Sequence, residues 1–487
     1  MTAPPSEEEL LACLHTLKAI DADRGLLTRL DEAQRRELLM LAGRISRPGR
    51  TEQRKMARAF RRAERRQELA EDRAAIEQAG LRVQRRRDTY APLWLPLPDA
   101  AARPDLNAAR NCYVCKQPYT EVHRYYDSMC RPCGDFNYAK REQSADLSGR
   151  VALVTGARVK IGFQAALKLL RAGAQVVALT RFPVDAAARY AREADYGEWQ
   201  ARLQVHGLDL RHTPSVELFA RWLAGQLPRL DYILNNACQT VRRPAGFFRH
   251  LLEREALGAA ALPDVERGPL SQHQVLCRAL VAHSAEGLVH SAALSQRRYL
   301  DEDYLEGEAL FPAGRYDEDS QQVDLRTVNS WRLRLHEVQT PELLEVQLVN
   351  AIAPYILNAR LKPLMMKSGA RDLHIVNVSA MEGQFYRTTK TDKHPHTNMA
   401  KAALNMMTRT SAPDYVRDGI HMNAVDTGWV TDEDPALHAA RKAGEGFAPP
   451  LDIIDGAARI VDPVFAGMNT GEHLWGQFLK DYKPAPW

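Results

Sequence analysis

The chain has 487 residues, a net charge of +5 and a hydrophobic fraction of 45%. Its length exceeds that of one ordinary hydrophobic core, so we expect two or three domains. The small net charge gives no general argument for a nucleic-acid partner. No apolar run approaches the roughly 20 residues that cross a bilayer, and the first residues lack the basic start and apolar core of a secretory signal. These features predict a cytoplasmic protein that does not contact membranes.

Residues 1–95 predict a helical, basic domain. Ser6 and Glu9 have the spacing of a capping box, and leucines at positions 10, 14 and 17 follow on one face of the first helix. A second helix is expected to begin at Asp31, to bury an apolar stripe and to end where proline and glycine break the pattern at positions 48 and 49. The residues of that stripe are Leu38, Leu41, Ala42 and Ile45.

The third predicted helix, residues 51–79, carries seven lysine and arginine residues between positions 54 and 66. One interpretation is an electrostatic patch for nucleic acid or an acidic protein. The other is a solvated helix whose arginines pair with neighbouring glutamates, and the scarcity of interleaved aromatic residues favours it. A protein or nucleic-acid partner of this region therefore stays an open alternative.

Residues 96–146 predict a proline-rich linker followed by a small zinc-ribbon-like module. Two C-x2-C pairs are separated by fourteen residues, a spacing that brings four thiolates around one Zn²⁺ ion. Gly134 is expected to supply backbone freedom beside the second pair, and His123 is expected to be an ordinary surface residue. A redox pair or an iron–sulfur cluster is the alternative to a structural zinc. The predicted ligands are Cys112, Cys115, Cys130 and Cys133.

From residue 147 onward, short β-branched apolar runs alternate with helical patterns. Such runs, apolar on both faces, are typical of parallel strands, and the helices between them indicate right-handed βαβ crossovers. Residues 147–487 therefore predict an α/β, Rossmann-like domain with a doubly wound parallel sheet. The clearest runs are RVALVTG, AQVVALT, DYILNNA, LHIVNVS and IHMNAVDTG.

The stretch TGARVKIG, residues 155–162, predicts the turn between a strand and a helix. Gly156 permits a tight turn, and Gly162 lets the helix lie close to the strand, so that free N–H groups at the helix start can bind a pyrophosphate. The next strand ends without the acidic residue that contacts the ribose hydroxyls of NAD. Arg181, together with Arg158, would instead favour the 2′-phosphate of NADP(H), although Arg181 can also be read as a surface residue.

Six motifs follow one another in an order and spacing that resemble the short-chain dehydrogenase/reductase family: TGARVKIG, LDL at 208–210, NNAC, VNVS, KAALN from position 401, and NAVDTGWVT. The resemblance covers residues 147–487 and implies a fold that binds NAD(H) or NADP(H) and passes hydride to or from a carbonyl or alcohol carbon. It implies that Asp209 contacts the adenine and that Val430 and Thr431 hold the nicotinamide carboxamide. The full implied set of cofactor-binding residues is Thr155, Gly156, Arg158, Lys160, Ile161, Gly162, Arg181, Asp209, Asn236, Ala237, Lys401, Gly428, Val430 and Thr431.

The resemblance also implies a catalytic asparagine, serine, tyrosine and lysine. Asn350, Ser379 and Lys401 match three of these, but Thr397 stands where the tyrosine belongs. An aliphatic hydroxyl is far less acidic than a phenol, whose pKa is about 10, and losing a general acid typically costs roughly 10²–10⁴ in rate. In addition, Lys160 replaces the middle glycine of the turn. These departures are expected to affect turnover more than cofactor binding.

Three residues near the catalytic helix are candidates for a relocated proton donor. Tyr386 lies seven residues after the serine, and His394 and His396 precede the lysine-bearing helix, where histidine titrates in a useful range. The alternative is that they are a loop tyrosine and two helix-entry histidines without a chemical role.

A long insertion, residues 239–335, enters where the family has a short loop and helix. It is able to form a lid, a specificity pocket or a docking surface, since long ordered loops are usually functional. Arg242 and Arg243 are interpreted either as contacts to an anionic substrate or the cofactor phosphates, or as surface residues. Cys13 and Cys277, outside the metal pattern, are expected to be buried apolar residues.

Two functional hypotheses result. The first is a divergent NADP(H)-dependent oxidoreductase that acts on a carbonyl or alcohol with a substitute for the missing tyrosine. The second is a catalytically inactive cofactor-binding sensor or scaffold that engages a protein or nucleic acid through its zinc module and basic helices. The family resemblance implies a homo-oligomer as well, although the added domains are able to block the usual interfaces.

Overall fold

The computed structural model describes residues 4–85, 105–258, 262–280, 285–317, 321–386 and 390–487. It contains two compact units, Met1–Glu71 and Asp72–Trp487. Most of the stretch predicted to be a proline-rich linker lies outside the described residues. No helix among the described residues is long and apolar enough to cross a membrane.

The first unit is helical, as predicted, and its helices are α1 (Glu7–Ala22), α2 (Glu32–Ser46) and most of α3 (Arg50–Glu77). The capping box of Ser6 and Glu9 is confirmed, and Asp31 caps α2 as expected. The predicted burial of the α2 stripe is wrong, because Ile45 is 78% and Leu41 is 47% exposed. No described residue of α1 or α2 is buried, since no neighbouring element of this unit covers their apolar faces.

The cysteine module begins the second unit after a short helix, α4 (Gly80–Arg85), and consists of the hairpin β1 (Arg110–Asn111) and β2 (Pro118–Tyr119) followed by α5 (Arg131–Glu142). Gly134 lies inside α5 and is needed for packing, because a Cβ there would lie 2.5 Å from Cγ of His123. The expectation that His123 is a surface residue is wrong. Its ring is buried, and its Nδ1 accepts hydrogen bonds from the backbone N–H groups of Tyr125 and Tyr126.

An eight-stranded sheet forms the centre of the second unit and confirms the predicted α/β class. The strand order is β10-β9-β8-β7-β6-β3-β4-β5, and all neighbours are parallel except the β9–β10 pair. All five strand runs predicted from the sequence are present, whereas β5, β9 and β10 were not among them. The strands are β3 (Val151–Thr155), β4 (Gln175–Thr180), β5 (Leu203–Gly207), β6 (Tyr232–Asn235), β7 (Leu373–Ser379), β8 (Ile420–Asp426), β9 (Phe478–Lys480) and β10 (Lys483–Ala485).

Helices cover both faces of the sheet, as a doubly wound fold requires. One buried cluster joins the sheet to α6, α7 and α18, and another joins it to α9, α15 and the end of α16. The remaining helices are α6 (Lys160–Arg171), α7 (Pro183–Ala191), α8 (Tyr196–Trp199), α9 (Thr213–Gln226), α10 (Arg249–Leu257), α11 (Asp264–Arg267), α12 (Ser271–Leu280), α13 (Glu286–Val289), α14 (Thr340–Gln347), α15 (Ala353–Met366), α16 (Pro395–Tyr415), α17 (Ala436–Gly444) and α18 (Ile453–Thr470).

The insertion supplies α10 to α13 and covers the outer edge of the sheet at β5. Leu276 and Leu288 from the insertion are buried in the sheet core. The Ser291 hydroxyl donates to the backbone oxygen of Arg181 at 2.9 Å, and it occupies the space where a Cβ of Gly207 would lie. An exposed edge strand is a template for unwanted pairing, and the insertion removes that template on this side.

Candidate active site

A cavity of about 900 Å³ lies at the carboxyl ends of β3, β4, β6, β7 and β8. This is the place where ligands of open parallel sheets bind. Among the residues predicted for the site, Thr155, Asn350 and Thr397 do not line the cavity. Those that do are Gly156, Arg158, Lys160, Ile161, Gly162, Arg181, Asp209, Asn236, Ala237, Ser379, Lys401, Gly428, Val430 and Thr431.

The glycine turn after β3 is tightly packed. Gly156 has φ +67°, and a Cβ at Gly162 would lie 2.2 Å from both the oxygen of Gly156 and Nδ2 of Asn236. The Asn236 amide donates to the backbone oxygens of Thr155 and Gly156 at 3.2 and 3.3 Å, and the N–H of Ala237 donates to the Thr155 hydroxyl at 2.9 Å. This network fixes the turn and presents the N-terminus of α6 to the cavity, where its free N–H groups can receive an anion.

Lys160, which stands where the family pattern has a glycine, has an unusual backbone conformation. Its φ is +54°, in the left-handed region that side-chain-bearing residues rarely adopt. Burial of Glu433 tends to raise the pKa of its carboxyl group. The positive charges of Lys160 and Arg243 have the larger effect and hold this pKa below its usual value. The side chain of Lys160 therefore brings a cation to the cavity that a carboxylate already offsets.

Arg181, which follows the end of β4, brings a further cation to the cavity. Burial, and then the charge of Arg211, lower its pKa to about 10, so it remains cationic at neutral pH. Among the described residues no carboxylate forms an ion pair with it. Its guanidinium instead lies over the rings of Phe182 and Phe248, at 5.6 and 4.8 Å from their centroids.

The other charged residues at this end are paired. Arg158 donates to Asp185 at 2.7 Å, which directs it toward α7. Asp209 is buried and accepts from Arg211 at 2.6 and 3.0 Å. Phe248, which the sequence analysis did not select, comes from the insertion and forms part of an aromatic wall at this end of the cavity.

Ser379 and Lys401 lie at the end of β7 and on α16, and both are buried. The Ser379 hydroxyl donates to Oδ1 of Asn405 at 2.5 Å, and Nζ of Lys401 donates to the backbone oxygen of Val378 at 2.7 Å. Asn405, which the sequence analysis did not select, lies one helical turn after Lys401 on the same helix. Both side chains are therefore held in fixed positions at the end of the cavity formed by β7 and α16, which we call the chemistry end.

Asn350 lies in a π-helical turn, residues 348–352, between α14 and α15. Its amide accepts from the N–H of Gln239 at 2.7 Å and donates to the oxygen of Gln239 at 3.1 Å. It thus anchors the first residue of the insertion, and Gln239 itself lines the cavity. π-Helical turns occur often at functional sites, where they re-aim a side chain.

Thr397 does not reach the cavity. It is buried, and its hydroxyl has no hydrogen-bond partner among the described residues. Of the proposed substitutes, Tyr386 is half exposed and lies outside the cavity lining, and buried His396 faces Glu342 at 3.4 Å. His394 does line the cavity.

His394 is placed by an unusual backbone conformation at the start of α16. It has φ +42°, and its ring stacks on Trp331 of the insertion at a centroid distance of 3.9 Å and an angle of 6°. Burial lowers its pKa, against the opposing charge of Glu382. The imidazole is therefore neutral at pH 7 and able to accept a proton.

The cysteine module contacts the segment that follows β8. The hydroxyl of Tyr113 accepts a hydrogen bond from the N–H of Trp429 at 3.0 Å, and it would lie 3.1 Å from a Cβ at Gly428. Tyr113 and Lys116 both line the cavity, which no sequence motif indicated. The Thr431 hydroxyl donates to Glu433 at 2.8 Å.

A buried ion cluster joins the module to the start of α18. Arg141 donates to both oxygens of Asp452 at 2.6 and 2.7 Å and lies 3.0 Å from Asp455. Burial opposes ionisation of Asp452, but the charge and hydrogen bonds of Arg141 outweigh it and lower the pKa to about 2. The hydroxyls of Tyr125 and Tyr126 donate to the same two carboxylates. The module is therefore fixed against the segment that borders the cavity.

The four predicted zinc ligands converge. Their sulfurs lie within 4.8 Å of one another, and the Cys115 and Cys130 sulfurs are 3.7 Å apart. Cys130 precedes α5 and Cys133 lies in its first turn, so one helix start and one hairpin present the two pairs. A set of four thiolates at this separation fits tetrahedral coordination of Zn²⁺.

Two expectations about other residues are corrected by the structure. Cys13 is exposed, because the apolar face of α1 is uncovered, and Cys277 is only partly buried. Arg242 is buried, so it is not a surface residue; it lines the cavity and pairs with Asp303 and Glu345 at 2.5 and 3.1 Å. Arg243 lines the cavity and pairs with Asp324.

Two family models match the chain. The short chain dehydrogenase model matches residues 150–255, and the enoyl-(acyl carrier protein) reductase model matches residues 327–445, so the insertion lies largely between them. The chain belongs to the short-chain dehydrogenase/reductase family of oxidoreductases.

Individual relatives cover different shares of the chain. Uncharacterized protein R665 of Acanthamoeba polyphaga mimivirus is 32% identical over 406 residues, which are 81% of this chain and 79% of the viral protein. Mouse retinol dehydrogenase 11 is 33% identical over 112 residues, 22% of this chain and 35% of the mouse protein. Among solved structures, the NADP complex of Pseudomonas aeruginosa RhlG matches 69% of this chain and 95% of its own at 18% identity and a TM-score of 0.43.

Proposed function

We propose that the chain binds NADP(H) in the cavity at the carboxyl edge of the sheet and is an oxidoreductase of a carbonyl or alcohol substrate. The proposal depends mainly on the position and the surroundings of Arg181. This arginine sits at the end of β4 with aromatic rings beside it and without a carboxylate partner among the described residues. An anionic 2′-phosphate would supply the missing counter-charge, and a bidentate contact of this kind is strong.

The glycine turn supports the same placement of the cofactor. The packed bend at Gly156 and Gly162 presents backbone N–H groups of α6 toward the cavity, where a pyrophosphate would lie. Asp209, Val430 and Thr431, to which the resemblance assigns contacts with the adenine and the carboxamide, all line the cavity. When bound, the nicotinamide would donate or accept the hydride.

The chain's own residues would handle the proton. Ser379, held by Asn405, would orient the substrate oxygen, and Lys401 would hold the cofactor ribose. His394 is the proposed group for proton transfer, because it alone of the three candidates Tyr386, His394 and His396 lines the cavity. Since its pKa is lowered by burial, it would act as a general base for alcohol oxidation at neutral pH.

We also propose that the four cysteines bind a structural Zn²⁺. All four ligand positions are protein thiolates, so no coordination site would be open for catalysis. The ion would hold together a module that contributes Tyr113 and Lys116 to the cavity wall.

A second candidate function, a catalytically inactive scaffold with a protein or nucleic-acid partner, is favoured by one specific feature. The helices of the first unit expose large apolar side chains that a soluble helix normally buries. They include Leu10, Leu14, Leu39, Met40, Ile45 and Phe60, all at least 46% exposed. A partner that covers these faces would explain them, and cofactor binding could then serve a sensing role.

Cofactor titration followed by turnover assays distinguishes the two. We expect NADPH to bind, and a panel of alcohols and carbonyls to include a substrate whose turnover falls in Ser379→Ala. NADPH binding without turnover of any compound, and without any effect of Ser379→Ala, would support the scaffold. For the scaffold, a blank gel shift with nucleic acid and a pull-down that recovers no partner would be the contrary result.

A further inference from the structure

Three histidines meet at the amino edge of the sheet, at the opposite ends of the strands from the cavity. His374 and His421 are the second residues of β7 and β8, and they are directly paired in the register of these strands. His473 comes from the loop between α18 and β9. The three ring centroids are 4.9 to 5.3 Å apart, and each residue offers a nitrogen within 4.8 Å of the other two.

The hydrogen bonds of these rings resemble those of metal-bound histidines. His421 is positioned by its Nδ1, which lies 3.2 Å from the backbone oxygen of Leu373 and can donate to it, so Nε2 is left as a lone-pair donor. Metal-binding histidines commonly donate their second nitrogen to a carbonyl in this way. Nε2 of His374 lies 2.9 Å from Nδ1 of His473, so these two nitrogens share a hydrogen bond, which a bound ion would replace.

The cluster also contains a polar atom that the protein leaves unsatisfied. His374 is fully buried, and its Nδ1 has no hydrogen-bond partner among the described residues. An ion held by Nε2 would not reach this Nδ1, so the site is defined by the nitrogens that the three rings turn toward one another, which lie within 4.8 Å.

The neighbours of the cluster are a close-packed glycine and an arginine whose charge two carboxylates offset. A Cβ at Gly467 would lie 2.4 Å from Nδ1 of His473 and 3.2 Å from Nε2 of His374, so only glycine in α18 leaves room for these rings. Arg150 is the neighbouring cation, and it is paired with Asp372 at 2.5 Å and with Asp231 at 3.1 Å.

We propose that His374, His421 and His473 form a second metal site, which binds one divalent transition-metal ion, with Zn²⁺ as the preferred ion. Imidazole nitrogens are typical ligands of Zn²⁺, and three of them leave one position for water. Ser379 is five residues from His374 along β7, about 17 Å at 3.3 Å per residue. The ion is therefore separate from the cavity, and its role is to fasten the loop before β9 to the sheet.

Zinc content tests the proposal without relying on activity. Tag-free full-length protein is dialysed against zinc buffered with a chelator, and zinc per chain is measured by plasma mass spectrometry. We expect His473→Ala to hold one zinc fewer than the wild type, whereas His438→Ala, which removes a partly exposed histidine of α17, holds as much as the wild type. The difference between variants is independent of whether the cysteine module is loaded. Equal zinc in all three proteins overturns the proposal.

A thermal measurement covers the case in which a variant is poorly folded. His473 is in a loop and partly exposed, so we expect His473→Ala and His473→Gln to keep the circular dichroism spectrum of the wild type. Raising free zinc to about 100 times its dissociation constant should raise the Tm of the wild type by about 2 °C more than that of either variant. An identical zinc-dependent shift in wild type and both variants contradicts a site at these residues.

Discussion

The two ends of the carboxyl-edge cavity differ in how closely they follow the family pattern. At the dinucleotide end, formed by the glycine turn after β3 and by the end of β4, the turn is tightly packed, and Lys160 has a left-handed backbone conformation where the family pattern has a glycine. At the chemistry end, Ser379 and Lys401 are retained, but the hydroxyl that stands in for the tyrosine is buried outside the cavity.

This difference has a physical cause. The dinucleotide end depends on backbone geometry, which tolerates a change of side chain where the conformation is kept. The chemistry end depends on one acidic side chain at one position, and a threonine hydroxyl cannot supply that acidity. The proposed oxidoreductase would therefore need a proton-transfer group from elsewhere, and Trp331 of the insertion stacks on His394, which lines the cavity.

The largest expected effect is at the chemistry end. His394→Asn should lower the rate of alcohol oxidation about 10²–10⁴-fold, because it removes the proposed general base while keeping the size of the side chain. The dissociation constant of NADPH should stay within about twofold of the wild-type value. Because burial lowers the pKa of His394, the wild-type rate should rise with pH below about 6.5 and be level at pH 7 to 8.

The pH profile distinguishes a role of His394 in proton transfer from a purely structural role. His394→Asn should lack the low-pH limb at any residual rate, and His396→Asn, which alters a buried histidine outside the cavity, should retain it. An unchanged limb in His394→Asn would assign the proton transfer to another group.

The next effect is at the dinucleotide end. Gly162→Ala should weaken NADPH binding about 10–100-fold, because its Cβ would lie 2.2 Å from the oxygen of Gly156 and force the turn to move. The matched control is Gly225→Ala in α9, where nothing lies within 4 Å of the new atom. Isothermal titration of both variants measures the difference, and equal affinities would show that no phosphate lies at this turn.

A smaller and more selective effect is expected at Arg181. Arg181→Ala should weaken NADPH binding about tenfold and leave NADH binding within about twofold, because only NADPH carries the 2′-phosphate. Arg221→Ala removes an exposed arginine of α9 and serves as the control. A parallel loss of affinity for both dinucleotides would argue that Arg181 supports the fold and does not select the cofactor.

The smallest effect is expected at the position of the missing tyrosine. Thr397→Val should leave turnover within about twofold and stabilise the protein by up to about 1 kcal/mol, because it replaces a buried hydroxyl without a hydrogen-bond partner. Urea denaturation and the turnover assay check the two parts. A hundredfold loss of turnover would restore Thr397 as a catalytic residue.

Much of the fold was predictable because it depends on local patterns. The alternation of apolar strands and helices predicted the sheet, and the spacing of the cysteines predicted that their sulfurs converge. The burial of the α2 stripe was predicted wrongly, since an amphipathic pattern does not reveal whether another element covers it. The short strands β9 and β10 carry too few residues to form a recognisable period.

The site was predictable where it depends on the backbone and not where it depends on distant side chains. The turn at Gly156 has a local signature, whereas Tyr113 and Trp331 reach the cavity from the module and the insertion. The sequence analysis also missed the three-histidine cluster. One signal was available, because LHIVNVS and IHMNAVD both carry histidine at their second position, but the third histidine meets them only in the folded chain.

Calorimetric titration of the purified full-length protein with NADPH and with NADH measures whether the cavity at the carboxyl edge of the sheet holds NADP(H). We expect saturable binding of NADPH, about tenfold tighter than that of NADH because Arg181 would contact the 2′-phosphate. Folded protein that binds neither dinucleotide would show that the cavity is not a site for this cofactor.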